Sequence, residues 1–181
     1  MKKLYIVRHC EAEGQEQEAP LTPTGRKQAE ALADFLEPLN IDRIVSSPFL
    51  RALQSIEPLA IRIDEQMYLD DRLAERKLCD REIDDWLEKL KASFEDMDIC
   101  LEGGESSNEA MDRVVEALEE SIRTKDEHIV FVLHGNIMAL LLKHFDPSFG
   151  FKEWKQLSNP DVFEVQLENG NASVSRIWNK R

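Results

Sequence analysis

Three short stretches of this 181-residue chain carry side chains suited to work on an anion. They are Arg8-His9 in LYIVRHCE, Arg51 in SSPFLRA, and His134-Gly135 in FVLHGN. Arginine presents a planar fork of donors that matches phosphate. A neutral histidine can accept a phosphoryl group through a ring nitrogen. Phosphoryl transfer needs positioning and charge stabilisation at the equatorial oxygens, which neighbouring cations would supply. A proton donor for the leaving oxygen is also required. Glu75, between Leu73 and Leu78 in RLAERKL, is a candidate, although 35 other acids accompany it in the chain.

The flanking pattern explains how such residues could meet. KLYIVRH is a short apolar run, as expected of a strand buried on both faces. LTPTGRKQAEALADFLEPL follows, with Thr22 as cap, Pro23 in the first turn, and a stripe of Leu32, Phe35, Leu36 and Leu39. DRIVSS predicts a second strand. SPFLRALQSIEPLA predicts a helix capped by Ser47 with Pro48 at its first position, and IRI at 61–63 a third strand. Ile83, Trp86, Leu87 and Leu90 predict an amphipathic helix over 83–92. Ser106 and Glu109 form a capping box ahead of a stripe of Met111, Val114, Val115, Leu118 and Ile122. HIVFVL is the strongest strand signal, with NIMALLLKHF a helix after it. VFEVQL and ASVSRIW read as a hairpin about Asn169-Gly170. Strands alternating with helices predict an α/β fold, mainly parallel, with helices on both faces. Ligands of such sheets bind beyond the carboxyl ends of the strands. Arg8-His9, Ser46-Ser47 with Arg51, and His134 all fall there. His128 and His144 sit at a strand start and a helix end, and are read as structural.

Composition narrows the functional classes. Net charge is −13, against nucleic acid as a partner. Residues 64–105 hold 15 acids and 6 bases, a local charge of −9, read as a solvated face. Three cysteines (Cys10, Cys79 and Cys100) without C-x-x-C spacing suggest a reducing compartment. The apolar start is too short for a signal peptide, and no stretch approaches a membrane span. A cytoplasmic protein without a membrane partner is expected. Oligomeric state leaves no signal. A cysteine phosphatase would need arginine six positions after its cysteine, where this chain has Glu16, Asp85 and Ser106. The DMD at 96–98 has neither a preceding strand nor a following hydroxyl residue, and no P-loop, G-x-G-x-x-G or H-E-x-x-H occurs.

VRHCE, LTPTGRKQAEALADFL, SSPFLRALQS, RLAE, GGES and VLHG, in this order over about residues 3–143, resemble the histidine phosphatase (phosphoglycerate mutase-like) superfamily. The resemblance implies a three-layer α/β/α sandwich with a mainly parallel mixed sheet. It implies one domain, 1–181, carrying a cap-like acidic insertion at about 64–105. It implies His9 as the nucleophile that becomes phosphohistidine, with Arg8, Arg51 and His134 binding the phosphoryl group and Glu75 as general acid and then base. Gln15 would touch phosphate, and Gly135 would let the backbone pack close beside His134. No metal or other cofactor is implied, and the partner would be a small phosphorylated substrate. Two departures stand out: Cys10 replaces a Gly or Ala, and RKLCDREIDDW lacks the G-x-W-E-G continuation, with Cys79 at its glycine. The expected activity is hydrolysis of phosphate monoesters. The alternatives are a phosphomutase, which this chain's short stretch near Glu75 disfavours, and a catalytically silent phosphate-binding module, which the intact His-His-Arg-Arg set disfavours.

Overall fold

The computed structural model describes residues 1–179. Its centre is β1 (Lys2–Arg8), whose four middle residues are buried on both faces. β1 pairs in parallel with β4 (His128–Leu133) and antiparallel with β5 (Asp161–Glu168). β2 (Arg43–Ser46) lies beyond β4 and carries the edge strand β3 (Met67–Leu69). β6 (Asn171–Arg176) closes the other edge, giving the order β3-β2-β4-β1-β5-β6. The β5–β6 turn is the expected one, with Asn169 and Gly170 both at positive φ (52° and 80°).

Alternate residues of β1 feed two cores. Tyr5 and Val7 face α1 (Pro23–Leu36) and α2 (Leu50–Ile63), where Leu32, Leu36, Ile56 and Leu59 are buried. Leu4 and Ile6 face the opposite layer. That layer holds α3 (Trp86–Glu95), α4 (Ser107–Ile122), α5 (Gly135–Phe145) and the short α6 (Phe151–Lys155). The α/β/α sandwich follows from a sheet that is apolar on both faces. Thr22 caps α1 by accepting from the Gly25 amide, and the Ser106–Glu109 capping box starts α4. His128 is structural, its Nδ1 donating to the Leu39 carbonyl.

Three local expectations are corrected. IRI at 61–63 is the last turn of α2, not a strand. β-branched residues favour strands, but here Ile61 is 72% exposed while Ile56, Leu59 and Ala60 continue a buried helical stripe. Asp64, in the left-handed conformation, ends the helix, and Met67–Leu69 takes the strand role. Part of the acidic 64–105 stretch thus belongs to the sheet edge. α2 starts at Leu50, so Ser47 is not its cap and Pro48 precedes the helix; Ser47 has another task, described below. The helix expected over 83–92 runs over Trp86–Glu95. Its buried face is Leu90, Ser93 and Phe94, leaving Trp86 and Leu87 exposed.

The parallel strands bring Arg8, Ser46 and Leu133 to one sheet edge, where antiparallel β5 begins. There the wholly buried Asp161 accepts from Arg176 Nε and Nη2 (3.0 and 2.6 Å) and from the Ser158 amide (2.9 Å). That holds the turn from which Asn159 Nδ2 donates to the His9 carbonyl (2.9 Å). Removing one partner of such a pair leaves the other uncompensated. Asp161→Asn should lower the unfolding free energy by about 2–3 kcal/mol in urea titration.

Candidate active site

His9 follows the last residue of β1, its amide still bonded to the Leu133 carbonyl (3.1 Å). Its Nδ1 lies 2.7 Å from the Cys10 carbonyl. A carbonyl only accepts, so Nδ1 carries the proton and Nε2 keeps its lone pair. Arg51 Nε donates to that Nε2 (3.2 Å). The bland alternative, a histidine satisfied inside the core, would leave no face of the ring toward other polar groups. Here the ring of His134 lies 5.1 Å away, centre to centre. Burial pushes the His9 imidazole down to about 3; the Cys10 carbonyl opposes this, and Arg51 and Arg8 add to it. His134 is lowered well below the usual histidine range, first by burial and then by His9 and the two arginines. Both rings are neutral.

Two guanidinium groups flank the rings, Arg51 buried and Arg8 half-buried. Arg51, in the first turn of α2, is 1% exposed and donates through Nη1 to the carbonyls of Gln15 (3.1 Å) and Glu16 (2.8 Å). Arg8 donates through Nη1 to the Leu157 carbonyl (3.4 Å). Its guanidinium lies flat on Gly135, where a Cβ would stand 2.9 Å from Nη2 and 3.0 Å from Cζ. The close approach that needs this glycine is therefore to Arg8. Burial lowers both guanidinium groups, with Glu75 opposing. Arg8 Nε and His134 Nδ1 are buried without partners. Unpaired buried polar atoms are costly, and an anion accepting from the cluster would remove that cost. Two cations beside two neutral imidazoles repel a metal cation and attract a phosphate.

Glu75 closes the cluster from the opposite layer. Its Oε2 accepts from the Asn136 amide (3.0 Å), and its Oε1 from the amides of Ile137 and Arg76 (both 2.8 Å). The carboxylate thus straddles the positive N-terminus of α5. A solvated surface acid would make no such contacts. Gln15 is different: its side chain is exposed, and its backbone carbonyl is what meets Arg51. Beyond the cluster opens a cleft of about 1010 Å³, lined by Gln15, Phe49, Glu75, Lys77, Arg81 and Trp86, with Cys79 also on its wall. Cys10 packs into the core under α1 and α2; burial pushes its thiol up to about 12, so it is inert.

Other contributors escaped sequence reasoning. Ser47 Oγ lies 2.7 Å from His134 Nε2 and accepts from the Phe49 amide (3.3 Å), which makes it an orienter of His134. Phe49 packs its ring edge-to-face on His134, 4.9 Å between centres. Ser55 Oγ accepts from the Cys10 amide (2.8 Å), tying the backbone just after His9 to α2. The S-S-P context signalled Ser47 but suggested a cap; for Ser55 and Asn159 the sequence held no signal.

Comparison with known proteins agrees with this geometry. A candidate phosphoserine phosphatase of Hydrogenobacter thermophilus is 35% identical over 82 residues, 41% of this chain and 40% of that one, so the match spans less than half of the relative. Among solved structures, a mycobacterial glucosyl-3-phosphoglycerate phosphatase with inorganic phosphate aligns with a TM-score of 0.81 and 24% identity, covering 99% and 98% of the two chains. The protein YhfR of Bacillus stearothermophilus aligns at 0.80 and 24%, over 97% and 96%. A mutant phosphoserine phosphatase of Entamoeba histolytica with phosphoserine aligns at 0.75 and 24%, over 97% and 96%. These structural likenesses establish the shared fold. The model of the histidine phosphatase superfamily, branch 1, matches residues 4–180, and with Arg8, His9, Arg51 and His134 gathered at one sheet edge the chain belongs to that superfamily.

Proposed function

We propose that this protein hydrolyses small phosphate monoesters without a metal, through a phosphohistidine on His9. The observation that carries the reading is the His9 ring: its proton is held on Nδ1 by the Cys10 carbonyl, and its lone pair at Nε2 faces the cationic cluster. When substrate enters, Arg51 Nε turns from Nε2 to a phosphoryl oxygen, and the freed Nε2 lone pair attacks phosphorus as the ester P–O bond breaks. Arg8, Arg51 and His134 hold the phosphoryl oxygens, and Ser47 keeps the His134 ring in place. The leaving oxygen takes a proton from Glu75. In the second step Glu75, now a carboxylate, removes a proton from water as that water displaces Nε2 from phosphorus. As it stands Glu75 is an acceptor of three amide bonds, so it must first take up a proton, from solvent or from the monoanionic ester.

Cleft charges of both signs, Lys77 and Arg81 with Glu82 and Asp84, suit a small zwitterion. Phosphoserine, named for two of the relatives, is the first candidate. We read the chain as a single cytoplasmic domain with a cap over the cleft, consistent with the described helices, none of which is long and apolar enough to cross a membrane. A panel of phosphate monoesters, assayed for released phosphate in a chelator, tests the reading; activity that requires an added metal would contradict it.

Two substitutions probe the roles. Arg51→Ala should lower kcat about 100- to 1,000-fold, as expected for a lost charge-stabilising donor, because the guanidinium meets the developing charge. A change in KM alone would reduce Arg51 to a gatherer of substrate. Glu75→Gln should cripple hydrolysis of alkyl phosphates, whose alkoxide needs a proton. The burst of nitrophenolate from nitrophenyl phosphate should survive much better, because that group leaves without help. A surface acid would change neither.

A further inference from the structure

Glu75 stands on backbone that no helix or strand holds: residues 74–85 lie between a single 3-10 turn (71–73) and α3. Its carbonyls still need donors where they are covered. One side chain supplies them. Arg113, in the second turn of α4, donates through Nη1 to the carbonyls of Arg72 (2.6 Å) and Ala74 (3.0 Å), and through Nη2 to that of Glu75 (3.5 Å). Its remaining donors go to Glu105: Nε to Oε2 at 3.0 Å and Nη2 to Oε1 at 2.6 Å. All five N–H groups of the guanidinium are thereby used, an arrangement an ammonium cannot reproduce. Glu105 is itself tied to the same segment. It accepts from the Lys77 amide through Oε1 (3.3 Å), and its own amide donates to the Lys77 carbonyl (2.9 Å). The capping box at Ser106 and Glu109 fixes where α4 starts, and so where Arg113 projects.

We propose that Arg113, oriented by Glu105, is a positioning residue for Glu75. It locks the backbone on both sides of the acid, so that the carboxyl is held at the N-terminus of α5 and at a fixed reach from the leaving oxygen. The contacts single out the carbonyls of residues 72, 74 and 75, the support that the acid's placement depends on. A displacement of about 1 Å can cost on the order of 100-fold in rate. The inference rests on the reading of Glu75 as proton donor. It adds that this donor is set by a residue that touches neither substrate nor the reacting atoms.

The test is a double-mutant cycle read with two leaving groups. Release of serine from phosphoserine and of nitrophenolate from nitrophenyl phosphate in the first turnover, before water enters, is timed with wild type, R113M, E75Q and the double variant, each preparation normalised to active sites by the amplitude of its nitrophenolate burst. R113M should lose roughly 100-fold on phosphoserine and less than about tenfold on nitrophenyl phosphate. In the E75Q background it should cost almost nothing further on phosphoserine, because the group it positions is already gone. R113K, which keeps the charge but not the fork, should fall between wild type and R113M on phosphoserine, and it carries the comparison if R113M does not fold. Equal losses on both substrates, or a full additional loss in E75Q, would mean that Arg113 serves stability alone. If E75Q is selective between leaving groups and R113K is not, this inference fails while the general acid stands. If E75Q itself shows no selectivity, the general acid and the inference fail together.

Discussion

Two guanidinium groups, one buried and one half-buried, beside two imidazoles set the terms for the rest of the molecule. Bringing like charges out of water is unfavourable, and each one must find partners. Arg51 finds the carbonyls of Gln15 and Glu16, which fixes the loop after β1. Arg8 lies against Gly135, which excludes any side chain at the start of α5. Glu75 answers both cations from across the cleft while accepting from α5. The rings stay neutral first because burial disfavours charging them, and then because a further positive charge beside Arg8 and Arg51 would be worse. A site assembled to be short of negative charge suits a phosphoryl group, and a neutral imidazole at position 9 keeps the lone pair that the proposed attack requires.

The sheet explains why these groups meet. β1, β2 and β4 run parallel, so their carboxyl ends share one edge, and residues 42, 43 and 125 positions apart in the chain come together. The antiparallel β5 adds Asp161 and, through it, the Asn159 contact to the His9 backbone. Parallel strands thus deliver the chemistry, and the antiparallel one braces it.

The sequence made part of this legible. β1 and β4 could be read because strands buried on both faces become continuous apolar runs, and Arg8, His9 and His134 stood out against them. The capping box at Ser106 and the Asn-Gly hairpin are local signals and were met. IRI failed as a strand because propensity yields to a helix that was already burying Ile56 and Leu59. Ser47 was misassigned because the same hydroxyl can cap a helix or orient an imidazole, and only the fold places His134 beside it. Arg113 was invisible for the same reason: on the sequence it is one more charged residue on an amphipathic helix, and its carbonyl partners lie 38 to 41 positions away. Glu75 needed the resemblance to be singled out among 36 acids.

The central claim is that His9 Nε2 becomes phosphorylated in the course of turnover. Mixing the enzyme with labelled phosphate monoester and quenching within one turnover tests it directly. The protein should carry label that is stable to base and released by acid, mapping to the peptide containing His9, and both the label and turnover should vanish in His9→Ala. Label elsewhere, or a His9→Ala variant that keeps more than a few per cent of activity, would contradict the account.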